Sequence, residues 1–499
     1  MDPLNIFGLA HLPTWLALTL FILDITLRII AICWLPYNRK PVVALGWLMA
    51  IFLVPYIGFV AFLLFGSSRL PRHRRIRQRT INDMMKEILA SKNADEESRS
   101  VLGSHGELPE PARVAANLNY KLGALPLVGG NTFTLIKDNH QAIRQMTEEI
   151  NRAERYVHFE FYIAAYDNTT KPLWDALLAA HQRGVLVKIM IDHWGSRKYP
   201  NWKKLCKLLD DSGINWQLML PLKPFQGKWQ RPDLRNHRKI VIVDGRIAFS
   251  GSQNAIDRSY NLPANLKKGL VWQDLTFSCT GPVVEELNAV FISDWYSETR
   301  ELPLNEIETA IPRVHSGMLA QIVPSGPGFE TENNLRLINY LIYNAERRIV
   351  VCSPYFVPEE TLLQALTNAA LSKIDVTLIV CEKGDQFLPN MAQRSYYEKL
   401  LHAGVTIKQY PGPTVLHSKY MFVDDHLTFI GSSNMDPRSF ALNLEVSTFI
   451  VDTGMVKELE SISEEYISQC KTLRYDEWVA RPNRIKVVEN ICRLWSSLL

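Results

Sequence analysis

One polar motif occurs twice in this chain with the same spacing, and it limits the fold more than any other feature. It joins a histidine and a lysine to an aspartate and a Gly-Ser-x-Asn end, and its copies read His237-Arg-Lys239-x4-Asp244-x6-Gly251-Ser252-x-Asn254 and His417-Ser-Lys419-x4-Asp424-x6-Gly431-Ser432-x-Asn434. With ordinary residue frequencies, one chance match in a chain of 499 residues has a probability on the order of 10⁻⁵ or less. The repetition therefore predicts two related halves.

The sequence around the motifs repeats as well. Ala-Glu-Arg at residues 153–155 precedes the apolar run YVHFEFYI, and Ala-Glu-Arg at residues 345–347 precedes IVVCSPYF. Further apolar runs, VLVKIMID and DVTLIV, follow amphipathic segments, which is typical of α/β layers. We predict an α/β fold of two pseudo-symmetric halves with mixed, largely parallel sheets, at residues 126–300 and 301–499.

Each motif predicts a β-hairpin, because its two apolar runs are separated by an acidic turn at Asp244 or Asp424. A two-residue turn at 244 and 245 pairs residue 237 with residue 252, and the same register pairs 417 with 432. Side chains alternate along a strand, so the His, Lys, Ser and Asn of each motif are expected on one face. The two aspartates then lie on the other side, where a structural turn role suits them better than acid or base chemistry.

The shared face carries groups that suit phosphoryl transfer. A lysine neutralises phosphate oxygens, and the groups expected to donate hydrogen bonds to them are Ser252, Asn254, Ser432 and Asn434. Two histidines suit a two-step reaction in which one imidazole attacks phosphorus and the other protonates the leaving alkoxide. The predicted catalytic set is made of both motifs' histidines, lysines and aspartates: His237, Lys239, Asp244, His417, Lys419 and Asp424. The alternative of two buried structural hairpins requires the same coincidence twice.

A carboxylate is expected to orient each histidine ring. Asp274 and Glu445 lie downstream of the motifs in apolar, strand-like runs, where a lone carboxylate is otherwise costly. Ordinary surface acids are the alternative for both positions. No HExxH or Cys/His cluster is present in the sequence, so we expect neither a metal nor another cofactor.

Two apolar stretches, residues 15–34 and 42–65, open the chain, and each is long enough to span a bilayer. Asp24 and Arg28 in the first stretch are four residues apart, so they are expected to pair on one helix face. Six arginines follow between residues 69 and 79, which places the rest of the chain in the cytoplasm by the positive-inside rule. We predict a two-helix membrane hairpin and basic segment at 1–79 and a connector at 80–125. A re-entrant or interfacial hairpin is the alternative.

The charge distribution favours a membrane partner over nucleic acid. Lys and Arg total 55 against 51 Asp and Glu, so the net charge is only +4, and the basic excess is concentrated beside the apolar stretches. That segment is expected to attract anionic phospholipids, or to act as a topology signal only. The insertion PLKPFQGKWQRPDLR directly before the first motif is expected to face substrate or membrane, or to be an ordinary solvated loop.

The paired motifs resemble those of the phospholipase D superfamily, over roughly residues 126–480. The apolar hairpin, the Ser-Pro-Tyr-Phe-Val-Pro run at 353–358 and the Asn-Met-Asp-Pro-Arg-Ser run at 434–439 resemble bacterial cardiolipin synthases in particular. This resemblance implies a multi-pass protein of the bacterial inner membrane that transfers a phosphatidyl group from one phosphatidylglycerol to another and releases glycerol. It also implies His237 as the nucleophile and His417 as the acid and base. A phospholipase D-type hydrolase, or transfer to another alcohol, is the alternative.

Overall fold

The computed structural model describes residues 13–37, 39–66, 70–71, 74–78, 80–81, 83–84, 108–123, 125–222, 231–303, 306, 317–329 and 332–494. The chain divides into two compact units, Met1–Leu70 and Pro71–Leu499, and the second contains both halves of the repeat. Most of the insertion before the first motif lies outside the described residues, as does most of the connector. Their expected roles stay predictions.

The first unit contains three helices, and the second apolar stretch is not one continuous helix. The helices are α1 (Thr14–Trp34), α2 (Pro41–Leu53) and α3 (Pro55–Phe65). Pro55 has no backbone N–H, and Val54 before it leaves the helical conformation at φ −138° and ψ 78°, so α2 ends there and α3 begins. Within the described part of the chain, only α1 is long and apolar enough to cross a membrane.

Helices α2 and α3 fold back on each other. The rings of Trp47 in α2 and Phe62 in α3 lie 5.6 Å apart, although 15 positions separate them in sequence. At the open end of the pair, Nε of Arg39 donates a hydrogen bond to the carbonyl oxygen of Gly66 at 3.4 Å. The chain therefore enters α2 and leaves α3 at the same end. At 1.5 Å per residue the two helices are only about 20 and 16 Å long, against about 30 Å of hydrocarbon.

The predicted charge pair in the first apolar stretch is confirmed. Nε of Arg28 lies 2.8 Å from a carboxylate oxygen of Asp24, one helical turn away. The guanidinium of Arg28 also lies 5.1 Å from the ring centroid of Phe52 near the end of α2. The hydroxyl of Tyr56 donates to the carbonyl oxygen of Leu20 at 3.0 Å, so the tip of the folded-back pair lies against α1.

The second unit alternates helices and strands, as predicted. Its helices are α4 (Glu110–Gly123), α5 (Asn139–Asn151), α6 (Lys171–Gln182), α7 (His193–Ser196), α8 (Trp202–Ser212), α9 (Pro263–Lys268), α10 (Val283–Thr299), α11 (Asn333–Tyr343), α12 (Glu360–Leu371), α13 (Phe387–Arg394), α14 (Tyr397–Ala403), α15 (Pro437–Ala441), α16 (Thr453–Gln469), α17 (Tyr475–Val479) and α18 (Asn483–Leu494). Its strands are β1 (Val128–Ile136), β2 (Tyr156–Phe161), β3 (Leu186–Asp192), β4 (Asn215–Met219), β5 (Lys239–Val243), β6 (Ile247–Gly251), β7 (Val271–Gln273), β8 (Thr276–Thr280), β9 (Met318–Ser325), β10 (Arg348–Cys352), β11 (Asp375–Cys381), β12 (Thr406–Tyr410), β13 (Thr414–Leu416), β14 (Tyr420–Val423), β15 (Leu427–Gly431), β16 (Glu445–Val451) and β17 (Lys471–Thr472).

Fifteen of the described strands form one sheet, in the order β17-β12-β11-β10-β14-β15-β16-β9-β1-β8-β6-β5-β2-β3-β4. Outward from the antiparallel pair β1 and β9, both halves follow the same strand order, so the predicted mixed sheet in two pseudo-symmetric halves is confirmed. Parallel pairing is less extensive than expected: within this sheet it joins only β2, β3 and β4, and β10, β11 and β12. The two motif hairpins and the central strands are antiparallel, which explains the difference.

Each half has its own apolar core between sheet and helices. Helix α5 shows the cause in sequence, because its buried residues Ala142, Ile143, Met146 and Ile150 recur at helical spacing and pack into the first core. Helix α4 lies within the predicted connector, yet its buried alanines at 112, 115 and 116 belong to the core of the second half. Residues 110–123 are therefore part of the folded second unit.

Two arginines of the basic segment that follows the apolar helices form contacts within the second unit. Arg74 is buried and forms a bidentate ion pair with Glu298 on α10, at 2.6 and 2.8 Å. The guanidinium of Arg77 donates to the carbonyl oxygen of Ser297 at 2.9 Å. These two arginines therefore stabilise α10 and are not available to lipid headgroups, whereas most of the other arginines in the cluster lie outside the described residues.

The motif hairpins form, but their predicted register is wrong by one residue. Val243 pairs with Ile247, and the second hairpin pairs residue 423 with residue 427, so each turn has three residues instead of two. The extra residue is accommodated by left-handed backbone at Asp244 (φ 57°), Gly245 (φ 64°) and Asp424 (φ 53°). The predicted pairing of residue 237 with 252, and of 417 with 432, therefore does not occur.

Candidate active site

Backbone pairing across the two halves brings the motifs together. Strand β13, which ends directly before His417, pairs in parallel with β7, which ends directly before Asp274. The backbone N–H of His417 donates to the carbonyl oxygen of Gln273 at 2.7 Å, and that of His237 donates to the carbonyl oxygen of Leu444 at 2.8 Å. Each histidine is thereby held beside the segment that carries the other half's carboxylate. One site is formed from both halves.

The two histidines form crossed pairs with the two carboxylates. Nδ1 of His237 lies 3.0 Å from both carboxylate oxygens of Glu445, and Nδ1 of His417 lies 2.6 Å from Oδ1 of Asp274. All four side chains are buried. A carboxylate accepts, so each Nδ1 carries the proton and each Nε2 keeps a lone pair for chemistry. The sequence identified both carboxylates but not this exchange between the halves.

The motif serines contact the orienting carboxylates. Oγ of Ser252 donates to Asp274 at 2.8 Å, and Oγ of Ser432 donates to Glu445 at 2.5 Å. Each serine oxygen also accepts the backbone N–H of the residue after that carboxylate, at 2.9 and 3.0 Å. Both serines are fully buried, with their hydroxyl protons engaged. In this structure the serines fix the carboxylates, and their contact with phosphate stays a prediction.

The motif asparagines also lie in the site, and both are buried. The side-chain oxygen of Asn254 accepts the backbone N–H of Ile163 at 3.2 Å, and its amide donates to the hydroxyl of Tyr260 at 2.8 Å. The backbone N–H of Asn434 donates to Oγ of Ser439 at 3.1 Å. Phosphate binding by the two asparagine amides stays a prediction.

The motif lysines are the buried cations of the site. Nζ of Lys239 donates to the carbonyl oxygen of His237 at 2.5 Å, and Nζ of Lys419 donates to that of His417 at 2.7 Å. Burial lowers the pKa of Lys239 to about 7 and the pKa of Lys419 to about 8. An anion bound beside them raises these pKa values again, because it favours the charged form. Phosphate binding by the two lysines stays a prediction, to which this charge response adds support.

Burial and charge set the protonation states of the crossed pairs. Burial lowers the pKa of both His237 and His417 to about 4, so both rings are neutral at pH 7. Burial alone raises the pKa of Asp274, but the contacts with His417, Lys419 and Ser252 outweigh it and bring the pKa down to about 2. The pKa of Glu445 is lowered in the same way. Burial opposes this shift, and His237 is the main cause of it. Two neutral imidazoles thus face two ionised carboxylates.

The motif aspartates lie at the hairpin turns, away from the histidine rings. The carboxylate of Asp244 accepts the backbone N–H groups of residues 154, 155 and 156, at 2.9, 2.8 and 2.9 Å. Asp424 accepts those of residues 346, 347 and 348 in the same way, at 3.0, 2.8 and 3.1 Å. Each aspartate therefore ties its hairpin to the start of the neighbouring strand. This geometry favours the structural role over an acid or base role.

Two polar residues near the carboxylates were not predicted from the sequence. Oγ of Ser439 donates to Glu445 at 2.9 Å, and the side-chain amide of Asn139 donates to Asp274 at 3.2 Å. Ser439 belongs to the 434–439 run that resembles cardiolipin synthases, and this was the only signal for it. Asn139 lies on α5, far upstream of both motifs, and no local pattern distinguishes it from other polar residues at helix starts.

A buried polar layer behind His237 was also missed. Nε of Arg238 donates to the carbonyl oxygen of Glu445 at 3.0 Å, and its guanidinium forms an ion pair with Asp294. The side-chain amide of Asn236 donates to Glu160 at 2.6 Å. Burial, with the charge of Asp294, raises the pKa of Glu160 well above its usual value. These groups hold the residues on both sides of His237.

The acids, histidines and cysteines of the described residues do not form a metal-binding cluster. No group of three or more His, Cys, Asp or Glu side chains in that part of the chain is arranged to hold a metal ion. The groups that surround the two histidine rings are carboxylates, lysine ammonium groups, hydroxyls and amides. The ammonium, hydroxyl and amide groups can donate hydrogen bonds to phosphate oxygens, whereas the carboxylates only accept.

Comparison with known proteins gives the same family over the same residues. The family model described as "Cardiolipin synthase, PLD-like domain" matches residues 146–295 and 338–467, and the model "Phospholipase D-nuclease N-terminal" matches residues 26–67. Cardiolipin synthase A of Proteus mirabilis is 31% identical over 486 residues, covering 96% of both chains. Cardiolipin synthase of Alkalihalophilus pseudofirmus is 30% identical over 495 residues, covering 98% of this chain and 95% of that one.

A solved structure supports the fold independently. The crystal structure of phosphatidylserine synthase from Haemophilus influenzae superposes with a TM-score of 0.59 at 15% identity, covering 78% of this chain and 100% of that chain. At this identity the likeness concerns the fold alone. With two matched domains and full-length relatives, the chain belongs to the cardiolipin synthase family, the phospholipase D-like phosphatidyltransferases that its paired motifs resemble.

Proposed function

We propose that this protein makes cardiolipin by transferring a phosphatidyl group from one phosphatidylglycerol to the hydroxyl of a second, with release of glycerol. The observation that carries the proposal is the pair of crossed His–carboxylate contacts around two buried lysines. Two imidazoles that each keep a lone pair on Nε2, together with two cations, are what a double displacement at a phosphodiester requires. The curated relatives named above supply the substrate class.

In the first step, Nε2 of His237 attacks phosphorus, and the bond from phosphorus to the glycerol oxygen breaks. His417 is neutral in the empty site, and the bound phosphate anion raises its pKa so that it takes up a proton. Protonated His417 then donates its Nε2 proton to the departing glycerol oxygen. The products are a phosphatidyl group on His237, free glycerol and neutral His417. Asp274 stabilises the imidazolium form of His417, and Glu445 stabilises the positive charge that develops on His237.

In the second step, neutral His417 removes the proton from a hydroxyl of the second phosphatidylglycerol. That oxygen attacks phosphorus and the bond to His237 breaks, which gives cardiolipin and restores both rings. Lys239 and Lys419 neutralise the phosphate oxygens in both steps, provided that both lysines are protonated. His237 thus forms the bond to phosphorus in the first step and leaves in the second, while His417 first donates a proton and then removes one. A single histidine cannot do both tasks at the same time.

The test uses purified full-length protein with vesicles of phosphatidylglycerol in the presence of a metal chelator. We expect one glycerol for each cardiolipin formed. Phosphatidic acid as the main product would instead identify a hydrolase that uses water as the acceptor. Cardiolipin formed only with an added alcohol or another phospholipid would identify a different acceptor.

We also propose a membrane topology in which α1 spans the bilayer of the bacterial inner membrane and α2 and α3 form a re-entrant pair. The folded-back contacts between Trp47 and Phe62, and between Arg39 and Gly66, support it. In this arrangement Arg39 and Lys40 flank the same membrane face as the basic segment after Gly66. All of these basic residues then obey the positive-inside rule, with the catalytic unit cytoplasmic and the N-terminus outside.

A further inference from the structure

The C-terminal helix α18 carries an apolar stripe that the second unit leaves uncovered. Val487, Ile491 and Leu494 recur at helical spacing and are 56%, 52% and 79% exposed. The opposite side of the helix is buried at Glu489 and Cys492. An amphipathic helix that packs by one side and presents large apolar residues on another has a second partner.

A helix that packs against α18 also carries exposed apolar residues. Arg394 at the end of α13 forms an ion pair with Glu489 of α18 at 2.8 Å, which locks the two helices together. At the other end of α13, Phe387 and Leu388 are 64% and 44% exposed. The apolar surface formed by these two residues and the α18 stripe is called the α13–α18 surface below.

The α13–α18 surface adjoins the active site through a short series of contacts. Asp385, two residues before Phe387, accepts a hydrogen bond from the hydroxyl of Tyr355. Oγ of Ser353, two residues before Tyr355, accepts the backbone N–H of Met435 at 3.1 Å. Met435 directly follows Asn434 of the second motif. Phe387 is therefore linked to the segment that carries the second half-site through two hydrogen bonds and short pieces of chain.

The charges carried by α18 itself are complementary to an anionic surface. Arg484 and Arg493 are exposed at opposite ends of α18. The one acidic residue of the helix is Glu489, which is buried and neutralised by Arg394 and Arg481, so no free carboxylate faces outward from it. A second copy of the same surface would bring these arginines against each other, which is unfavourable.

We propose that the α13–α18 surface docks on the anionic bilayer that holds the lipid substrate. Val487, Ile491, Leu494 and Phe387 enter the headgroup region, and the arginines lie against the phosphates. Docking places Asp385 and its partner Tyr355 near the membrane, on the side of the second unit that is linked to the second motif. The effect of docking on turnover rests on the proposed function, but the contact with lipid does not.

The first test is photo-cross-linking with full-length protein in vesicles of phosphatidylethanolamine and phosphatidylglycerol. Ile491 is replaced with p-benzoylphenylalanine, and Leu371, which is 67% exposed on α12, is the matched control position. We expect roughly tenfold more lipid cross-linking at 491 than at 371, and less at high salt. Equal yields at the two positions, or cross-links from 491 mainly to another protein chain, would overturn the proposal. Cross-linking needs no turnover, so this result is independent of the proposed reaction.

The second test combines Val487→Ser, Ile491→Ser and Leu494→Ser in one variant, with Leu371→Ser as the control. We expect the rate on phosphatidylglycerol vesicles to fall by roughly tenfold, because apolar area that would insert is removed. The rate in detergent mixed micelles is expected to stay within about twofold, since a micelle adapts to the protein. An equal fall in vesicles and micelles would show that the stripe only stabilises the fold.

Discussion

Nδ1 of His237 lies 3.0 Å from both carboxylate oxygens of Glu445, although the two residues belong to different halves of the repeat. The reciprocal contact joins His417 to Asp274 at 2.6 Å. Neither half alone therefore provides both a histidine and the carboxylate that orients it. This exchange gives a physical reason for two fused halves in one chain, because the site is complete only when both are folded against each other.

Loss of either orienting carboxylate should impair catalysis more than folding. We expect Glu445→Gln and Asp274→Asn each to lower kcat by roughly 100-fold, because the amide cannot stabilise the imidazolium and can also reverse the ring's hydrogen bond. The control is Asp425→Asn, a half-buried acid within the second turn that pairs with Arg347. Steady-state rates with phosphatidylglycerol vesicles measure the effect, and wild-type rates in either carboxylate variant would contradict the crossed arrangement.

The rate of the reaction should fall at alkaline pH because the two motif lysines lose their charge. Lys239 and Lys419 have pKa values of about 7 and 8 in the empty site, and a lysine loses its charge as the pH rises through its pKa. Bound phosphate raises both pKa values, so kcat/KM should fall above about pH 7 to 8 while kcat falls only at higher pH. On the acid side, kcat/KM should fall below about pH 4, where the nucleophile His237 becomes protonated. Between about pH 4 and 7 it should decline gradually with rising pH, because His417 has to take up a proton that its pKa of about 4 disfavours in the empty site.

This prediction is checked with kcat and KM measured across the pH range on vesicles of constant composition. An alkaline limb at the same pH in kcat and in kcat/KM would show that the lysines do not regain their protons on binding. A flat profile through pH 9 would show that their charge is not needed.

The hairpin aspartates should matter for stability. We expect Asp244→Asn to lower the free energy of unfolding by about 1 to 2 kcal/mol, because a charged acceptor of three backbone N–H groups is lost. Asparagine tolerates the left-handed backbone at this turn, so the fold is retained. Denaturant unfolding measures the change, and Asp425→Asn is again the control. A variant with wild-type stability but no turnover would indicate a direct catalytic role.

The two membrane topologies predict opposite labelling of two positions. In a cysteine-free background, single-cysteine variants Asp2→Cys and Lys40→Cys are treated with a membrane-impermeant maleimide on intact spheroplasts. With one span and a re-entrant pair, position 2 is labelled from outside and position 40 only after lysis. Two full spans with a cytoplasmic catalytic unit reverse both results.

The sequence predicted what depends on local pattern. The repeated motifs, the alternating apolar runs and the apolar setting of Asp274 and Glu445 were sufficient to predict two halves and the groups at the site. The hairpin register was missed because a three-residue turn depends on left-handed backbone at Asp244 and Asp424, which sequence spacing does not distinguish from a two-residue turn.

Features that depend on pairing between distant segments could not be predicted from local sequence. The crossed contacts follow from the pairing of β13 with β7, and nothing local in either strand identifies its partner. The break at Pro55 was visible in sequence, but the fold-back of α3 onto α2 depends on contacts such as that of Phe62 with Trp47. Apolar length alone therefore suggested a second full span.

The central claim is that the two histidines have different tasks within one site, and a substrate with a good leaving group separates them. Phosphatidyl-p-nitrophenol needs little protonation on departure, so His417→Ala should release about one nitrophenolate per active site in a burst and keep the phosphatidyl group on His237. His237→Ala should show no burst. A burst from His237→Ala with none from His417→Ala, or no covalent phosphatidyl adduct in either variant, would contradict the account.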